Sequence, residues 1–529
     1  MFYFIPSWYD NDSWKIEAPY WFRVFEKMRF DDSINQMKIF QNSNEDAAFI
    51  LNCYQPQLRY FLHKQDLLKV SYWSFFDDIQ NIHRTETKAI QFQKLGWPKG
   101  ISFTYTPFMV VARMKEKPYA NIHFAENGNL LQIIFIEDGK ESRVFYFDDR
   151  GFLSSIKYLE DGQLLYQDYL NELGVWQVRE YFSRQDIFLE INPNADKFFQ
   201  KAFYDSWEEL FVERLRVFEA HHMNLEDCLV VSADERHNDL ILRNFPAYRK
   251  VFSIFGERFR FSNAEELKKM VDTASLIIVD TETTEHALLK QMSEQALPQK
   301  SVSRVTPFDT RLRLGQSQTI QELIIYFLID GISKEKYNET LHDLLELMVA
   351  NPLIELHLIT YESGQSKESI LSDITDYIMK TGLPMSRFTS EVDNPGENNL
   401  DEDREMGLTA VQFHTFTNEN QIIKELDTTR LVIDLSPEPD LYTQIASLSA
   451  GIPQINSVQT DYVSHGENGW IAPNREEVVK AVSYYFDGLS NWNRSLVYTV
   501  QKMGEFTSGK IIEHWKELLV KSDENPTSR

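Results

Sequence analysis

The chain has 529 residues, of which 43% are apolar and 25% are charged. This length exceeds what one hydrophobic core holds together, so the sequence predicts a globular protein of two to four domains. The formal net charge of -26 at pH 7 repels phosphate, which argues against a nucleic-acid partner.

The first hundred residues have the pattern that opens an α/β domain. Residues 2–5 and 48–51 are apolar runs that predict strands. The N-terminus has no basic leader and no later apolar run is long enough for a bilayer, so we expect neither a secretory signal nor a membrane span. Trp8, Trp14 and Trp21 follow the first strand, where they fit either a domain core or a sugar-stacking platform.

Between residues 101 and 182, turn-forming residues recur at a regular spacing that the preceding segment lacks. Glycines recur every 11 or 12 residues in turns such as Asp138-Gly139 and Asp161-Gly162, and such dipeptides are strong hairpin signals. The segments between them are rich in β-branched and aromatic residues. We therefore predict an up-and-down antiparallel meander of about six strands, inserted over residues 101–189 into the first α/β domain.

Alternating strands and helices return after residue 194 and predict two α/β domains with parallel strands. The first domain is discontinuous, over residues 1–100 and 190–319, and the second covers residues 320–490. Within the second, segment 390–405 carries seven acids against one base, which predicts a solvated, mobile loop.

The stretch 431–472 predicts a strand, a helix, a strand, a loop and a final strand. Its first apolar run, residues 431–433, fits a buried parallel strand. Ser436 and Pro437 supply start signals for the helix, and apolar residues recur on one of its faces. Gly451 ends that helix.

That order resembles the nucleotide-sugar half of GT-B glycosyltransferases, in which a helix carries two glutamates eight positions apart before a small-Gly-x-Pro turn. Gly451-Ile452-Pro453 fits that turn, which places the first glutamate at Glu438 and the second at Ala446. In the family, the second glutamate accepts hydrogen bonds from the donor's ribose, which a methyl group cannot do. Each hydrogen bond so lost costs about 1.5–3 kcal/mol, so donor affinity would fall about a hundredfold or more.

The same resemblance marks a second departure from a working donor site. In active members, the first loop of this domain carries Gly-Arg-Leu and then a lysine, a basic pair that neutralises the diphosphate. Gly331 takes the arginine position here, and Lys336 lies one residue from the lysine position. His465, Asn468 and Gly469 lie in the loop that would face the donor diphosphate or sugar, and a structural turn residue is the open alternative for His465.

Other catalytic chemistry is not found in the sequence. It contains no Gly-x-Gly-x-x-Gly, P-loop, His-Glu-x-x-His or Gly-x-Ser-x-Gly motif. Cys53 and Cys228 lie far apart and outside metal-ligand spacing, which fits a reducing cytoplasm. We therefore predict no catalytic residue, no metal site and no cofactor.

Over its whole length the chain resembles the family of the first accessory secretory proteins, which serve the accessory Sec translocase. The resemblance rests on the MFYFIPSWY start, the inserted meander, residues 304–309 and the closing segments SAGIPQIN and GENGWIA. It implies a GT-B-like α/β fold, with two Rossmann-like domains facing a cleft and terminal helices over residues 491–529 that cross back to the first domain. It also implies a protein without transferase activity, assembled in the cytoplasm near the membrane with two other accessory secretory proteins.

Two functions from different classes follow. The favoured one is a non-enzymatic subunit that binds glycosylated serine-rich repeat adhesin and delivers it to the translocase and its ATPase, with peripheral membrane contact left open. The alternative is an active retaining GT-B glycosyltransferase that adds sugar to the adhesin and uses the meander to bind its acceptor.

Overall fold

The computed structural model describes residues 1–9, 14–16, 20, 30–184, 186–298, 302–362, 366–391 and 406–524. Trp21 and nearly all of the acidic segment 390–405 lie outside these residues. Among the helices of the described chain, none combines the length and the apolar character that a bilayer crossing requires.

The strands form three large sheets and one two-stranded ribbon in the described ranges. In chain order, the strands are β1 (Phe2–Ile5), β2 (Ala47–Leu51), β3 (Ser71–Ser74), β4 (Ile101–Tyr105), β5 (Val110–Met114), β6 (Lys117–Phe124), β7 (Leu130–Glu137), β8 (Lys140–Asp148), β9 (Phe152–Glu160), β10 (Gln163–Leu170), β11 (Trp176–Tyr181), β12 (Leu189–Ile191), β13 (Phe203–Tyr204), β14 (Cys228–Ser232), β15 (Arg249–Ile254), β16 (Leu276–Val279), β17 (Val302–Arg304), β18 (Leu323–Leu328), β19 (Ile354–Thr360), β20 (Thr389–Glu391), β21 (Met406–Leu408), β22 (Val411–Thr415), β23 (Thr429–Asp434), β24 (Gln454–Asn456) and β25 (Gly469–Ile471).

Helices connect the parallel strands and cover both faces of the two parallel sheets. In chain order, they are α1 (Asp32–Asn42), α2 (Leu58–Lys64), α3 (Phe75–Ile79), α4 (Trp207–His222), α5 (Asn238–Asn244), α6 (Ala264–Thr273), α7 (Glu282–Glu294), α8 (Lys334–Ala350), α9 (Lys367–Thr381), α10 (Glu419–Leu426), α11 (Leu441–Ala450), α12 (Arg475–Phe486), α13 (Leu489–Met503) and α14 (Ser508–Glu524).

The N-terminal sheet is parallel and has the order β17-β16-β15-β14-β1-β2-β3. Its two halves, which the meander separates in sequence, meet where β1 pairs with β14. The apolar strands are buried on both faces, as the crossover helices require. Trp8 and Trp14 are only 6% and 8% exposed, so these two rings belong to the core and are not a sugar platform.

The meander is a ten-stranded antiparallel sheet in which β4 to β13 follow one another in order. Asp138-Gly139 and Asp161-Gly162 have positive φ at both residues, which confirms the predicted hairpins. The predicted number of about six strands was wrong, and the sheet continues to Tyr204. Two of the additional strands, β12 and β13, have only three and two residues, too few for a periodic pattern.

The C-terminal sheet is parallel and has the order β22-β19-β18-β23-β24-β25. Helices α8, α9 and α12 contribute to the core on one face, whereas α10 and α11 cover the other. Helix α8 begins at Lys334, where the Ser333 hydroxyl accepts the N–H of Lys336 as an N-cap.

The last two helices lie on different domains. In α13, Trp492 is buried and its indole N–H donates to the carbonyl of Arg430 on β23. In α14, Trp515 is buried in the N-terminal core, where its ring centroid lies 5.4 Å from that of Phe40. The chain therefore returns to its first domain at its end, while the division at residues 100, 189, 319 and 490 stays a prediction.

Candidate functional site

A cavity of about 340 Å³ lies between the N-terminal and C-terminal parallel sheets. It opens beyond the carboxyl ends of β16 and β23, which is where ligands bind in open α/β sheets. Its walls come from residues 280–283, His286 and Arg304 on the N-terminal side, and from residues 437–439, Leu441, Gln444 and residues 458–462 on the C-terminal side.

Helix α11 begins at Leu441, so the predicted start at Ser436 and Pro437 was wrong. The buried Asp434 carboxylate accepts the N–H groups of Ser436 and Asp440, at 3.1 and 2.7 Å, and holds the intervening residues as a loop. Asp440 is the N-cap, since its carboxylate accepts the N–H of Thr443 at 2.7 Å.

Glu438 consequently lies on the loop before α11 and at the mouth of the cavity. Its carboxylate accepts a hydrogen bond of 2.7 Å from the hydroxyl of Thr281, which caps α7 in the other domain. The position of the first family glutamate therefore forms a bridge between the two domains.

Ala446 faces the sheet and does not line the cavity. It is 9% exposed and belongs to an apolar cluster that includes Tyr326, Tyr361 and Phe416. The hydroxyls of Tyr326, Tyr361 and Thr443 form a hydrogen-bonded chain beneath the helix. Protein side chains thus surround the position at which the family places its ribose-binding glutamate.

Gly331 and Lys336 also have local roles. Gly331 has a φ of +72°, and a Cβ built on it would lie 3.2 Å from the Cβ of Ser436, so a larger side chain there would be strained. The Lys336 ammonium donates to the carbonyl of Leu435 at 2.8 Å. Burial lowers the pKa of Lys336, although Asp434 opposes that effect.

Three carboxylates lie near the loop where the diphosphate would be expected. Asp330 accepts the N–H of Tyr361 at 2.6 Å, while Asp434 and Asp440 hold the start of α11. Burial raises the pKa of Asp434 to about 7, and the nearby carboxylates of Asp440 and Asp330 add to this rise. None of these three carboxylates is among the described residues that line the cavity, and each is engaged by hydrogen bonds within the C-terminal domain.

The remaining predicted residues shape the loop between β24 and β25. The side chain of Asn468 accepts from the N–H of Ser464 and donates to the carbonyl of Tyr462, both at 2.7 Å. A Cβ on Gly469 would lie 2.4 Å from the carbonyl oxygen of Gln454, so only glycine fits against β24. The Nδ1 of His465 accepts the N–H of Ile471 at 3.1 Å, a local bond that fits a structural role in the turn.

Sequence reasoning missed the residues that close the cleft. Arg304 forms an ion pair of 2.9 Å with Asp461 across it. Phe308 is 5% exposed and packs with Leu441, Ile445 and Tyr462 of the C-terminal domain. Arg304 and Phe308 both belong to residues 304–309, a segment whose sequence indicates the family but not a contact between domains.

Comparison with known proteins identifies the family. A family model described as an accessory Sec system protein, the first of the accessory secretory proteins, matches residues 1–522. The chain belongs to this family. A relative of the same description from Streptococcus gordonii is 35% identical over 524 residues, which is 98% of this chain and 99% of the relative.

Solved structures share the fold of this accessory secretory protein 1 family member along its length. The structure of accessory secretory protein 1, 2 and 3 in Streptococcus pneumoniae matches with a TM-score of 0.79 and 30% identity, over 99% of this chain and 100% of that chain. The pneumococcal O-GlcNAc transferase GtfA, solved with UDP and GlcNAc, matches over 99% of each chain with a TM-score of 0.68. At 12% identity, that match shows the fold alone.

The predicted family and the predicted GT-B-like α/β fold are therefore confirmed. The chain is an accessory Sec system protein built on a glycosyltransferase-like fold. Gly331 and Ala446, two of the positions that the sequence resemblance predicts for donor-binding residues, carry no polar side chain.

Proposed function

We propose that this chain is a non-catalytic subunit of the accessory Sec export machinery that binds glycosylated serine-rich repeat adhesin and delivers it to the dedicated translocase and its ATPase. The observation that carries this proposal is the state of the donor cleft. Ala446 is buried among aromatic side chains, Glu438 is bonded to Thr281, and the Lys336 ammonium is bonded to the carbonyl of Leu435.

These features argue against the alternative, an active retaining transferase. Retention of a nucleotide sugar needs acceptors for the ribose and cations for the diphosphate, and neither need is met by Ala446 or Gly331. Lys336 lies one residue from the predicted lysine position, and its ammonium already bonds to a backbone carbonyl.

The proposed partners follow from the relatives. The pneumococcal structure contains accessory secretory proteins 1, 2 and 3, so we expect this chain to assemble with two other accessory secretory proteins. Cys53 and Cys228 are both buried thiols, which supports a reducing cytoplasmic location. Peripheral contact with the inner face of the membrane stays part of this proposal.

The meander offers a surface suited to glycans. Tyr158, Tyr166 and Tyr181, here called the tyrosine face, lie partly exposed on the neighbouring strands β9, β10 and β11. Their ring centroids are 4.5 and 6.0 Å apart, and the guanidinium of Arg179 lies 4.3 Å from the Tyr166 centroid. Aromatic rings stack on the apolar faces of sugars, and the partly exposed guanidinium of Arg179 is the polar group beside them.

Calorimetry with a glycosylated serine-rich repeat peptide tests this function. We expect the wild type to bind it and Tyr166→Ala to bind about tenfold more weakly, the effect of losing one aromatic contact. Tyr105→Ala is the matched control, because Tyr105 is 65% exposed on β4 at the opposite edge of the same sheet. Equal affinities for Tyr166→Ala and wild type, or an equal loss in the control, would count against the tyrosine face.

A further inference from the structure

Two histidines and a glutamate meet beneath helix α10, at the edge of the C-terminal sheet and away from the cleft. His357 lies on β19 and His414 on the edge strand β22, where β-sheet pairing directs both side chains to the face that α10 covers. Glu425 projects from α10 onto them. One ligand atom from each of the three residues lies within 4.8 Å of the other two.

The ring nitrogens of this cluster are incompletely used. The Nδ1 of His357 bonds to the Glu425 carboxylate. The Nε2 atoms of His357 and His414 are both buried, and neither has a hydrogen-bond partner among the described residues. His357 is only 6% exposed, so water does not readily satisfy its ring. Buried polar atoms without a partner are costly and call for an explanation such as an ion.

We propose that His357, His414 and Glu425 bind one divalent transition-metal ion of the Zn²⁺ type. Two imidazole nitrogens and a carboxylate are a ligand set that Zn²⁺ favours, whereas Ca²⁺ and Mg²⁺ prefer oxygen ligands. Glu355 lies close by, with its Oε2 at 3.8 Å from the Nε2 of His357, and is the carboxylate available to orient a ligand or complete the set.

Such an ion would add a link among three elements that are already joined by the pairing of β19 with β22 and by the bond between His357 and Glu425. It would connect β19, the edge strand β22 and α10, and thereby fix the helix over an open sheet edge. Because the site lies apart from the donor cleft, it does not depend on the proposed function.

A proton competes with the ion at this site. Burial opposes a charge on His357, but Glu355 and Glu425 together raise its pKa to about 9, while burial lowers the pKa of His414. The cations that face the cluster are Lys367 and Lys424, which act on His414 and Glu425.

Titration of the full-length, chelator-treated protein with Co²⁺ and Zn²⁺ tests the proposal. We expect one equivalent of Co²⁺ to bind with a visible absorption band, and Zn²⁺ to displace it and raise the thermal midpoint. His414→Gln and Glu425→Gln should each weaken Zn²⁺ binding by at least about tenfold.

The control is His221→Gln, the same change at an exposed histidine on α4, which should bind as the wild type does. Thermal midpoints without metal show that each variant is folded, and the two ligand variants test the site independently. Absence of Co²⁺ binding by the wild type, or binding that both ligand variants leave unchanged, would overturn the proposal.

Discussion

Asp434 is a buried carboxylate whose environment makes the stability of the fold depend on pH. Its pKa is about 7 in the folded chain, whereas an exposed aspartate titrates near about 3.9. Between these two values the folded state binds more protons than the unfolded state, so the free energy of unfolding falls as the pH rises from about 4 to about 7. Above pH 7 this decrease in the free energy of unfolding is complete, and it amounts to up to about 4 kcal/mol for a pKa shift of this size.

Asp434→Asn should remove this dependence. We expect the thermal midpoint of the wild type, relative to that of the variant, to fall between about pH 4 and pH 7. The amide oxygen replaces only part of the carboxylate's hydrogen bonding to Ser436 and Asp440, which changes the absolute midpoint of the variant. The test therefore compares how the midpoints of the two proteins change with pH. Asp487→Asn, at an exposed aspartate after α12, is the control and should keep the wild-type slope. Parallel pH profiles for wild type and Asp434→Asn would contradict the assignment.

At the scale of residues, the sequence predicted positions better than contacts. Spacing from Gly451 located Glu438 and Ala446, but it could not indicate that Glu438 bonds to Thr281 or that Ala446 faces the sheet. Those contacts depend on how two domains meet and on where a helix begins. The carboxylates around Asp434 were missed for the same reason, since they come from separate strand ends.

At the scale of elements, local signals predicted most strands and helices, and failed where a distant group decided the outcome. Ser436 and Pro437 resemble a helix start, yet the backbone N–H groups bound by Asp434 delay α11 to Leu441. The Asp-Gly turns of the meander were found because positive φ has a strong residue preference. The short strands β12 and β13 had no such signal.

Phe308 and the ion pair between Arg304 and Asp461 make contributions of very different size to the contact between domains. Arg304 and Asp461 have side chains that are 30% and 47% exposed, and a pair of this kind contributes about 0–1 kcal/mol. Phe308 is 5% exposed among side chains of α11, and removal of a buried phenylalanine costs about 3–5 kcal/mol. Apolar packing therefore holds the cleft closed.

We expect Phe308→Ala to increase hydrogen exchange markedly in α11 and in the residues beside β17, and to lower the thermal midpoint. Asp461→Ala, the matched change on the polar side of the same interface, should leave both quantities nearly unchanged. A larger effect for Asp461→Ala than for Phe308→Ala would show that the ion pair dominates.

At the scale of the whole molecule, the domains are joined in three ways. The apolar contacts of Phe308 close the cleft, the bridge from Thr281 to Glu438 spans it, and α14 returns to the N-terminal core through Trp515. The presence of two parallel sheets and an antiparallel meander could be predicted from sequence, because alternating strands and helices and the meander have distinct periods. The closure of the cleft could not, because it depends on contacts between residues more than a hundred positions apart.

The central claim is that the cleft no longer holds a nucleotide sugar. Calorimetric titration of the full-length protein with UDP-sugars tests it most directly, with the wild type and Ala446→Glu measured side by side. We predict no binding heat for either protein, because a glutamate at position 446 would enter an apolar cluster and leave Asp434 and Gly331 unchanged. Saturable, stoichiometric binding of a UDP-sugar by the wild type would contradict the account and favour an active transferase.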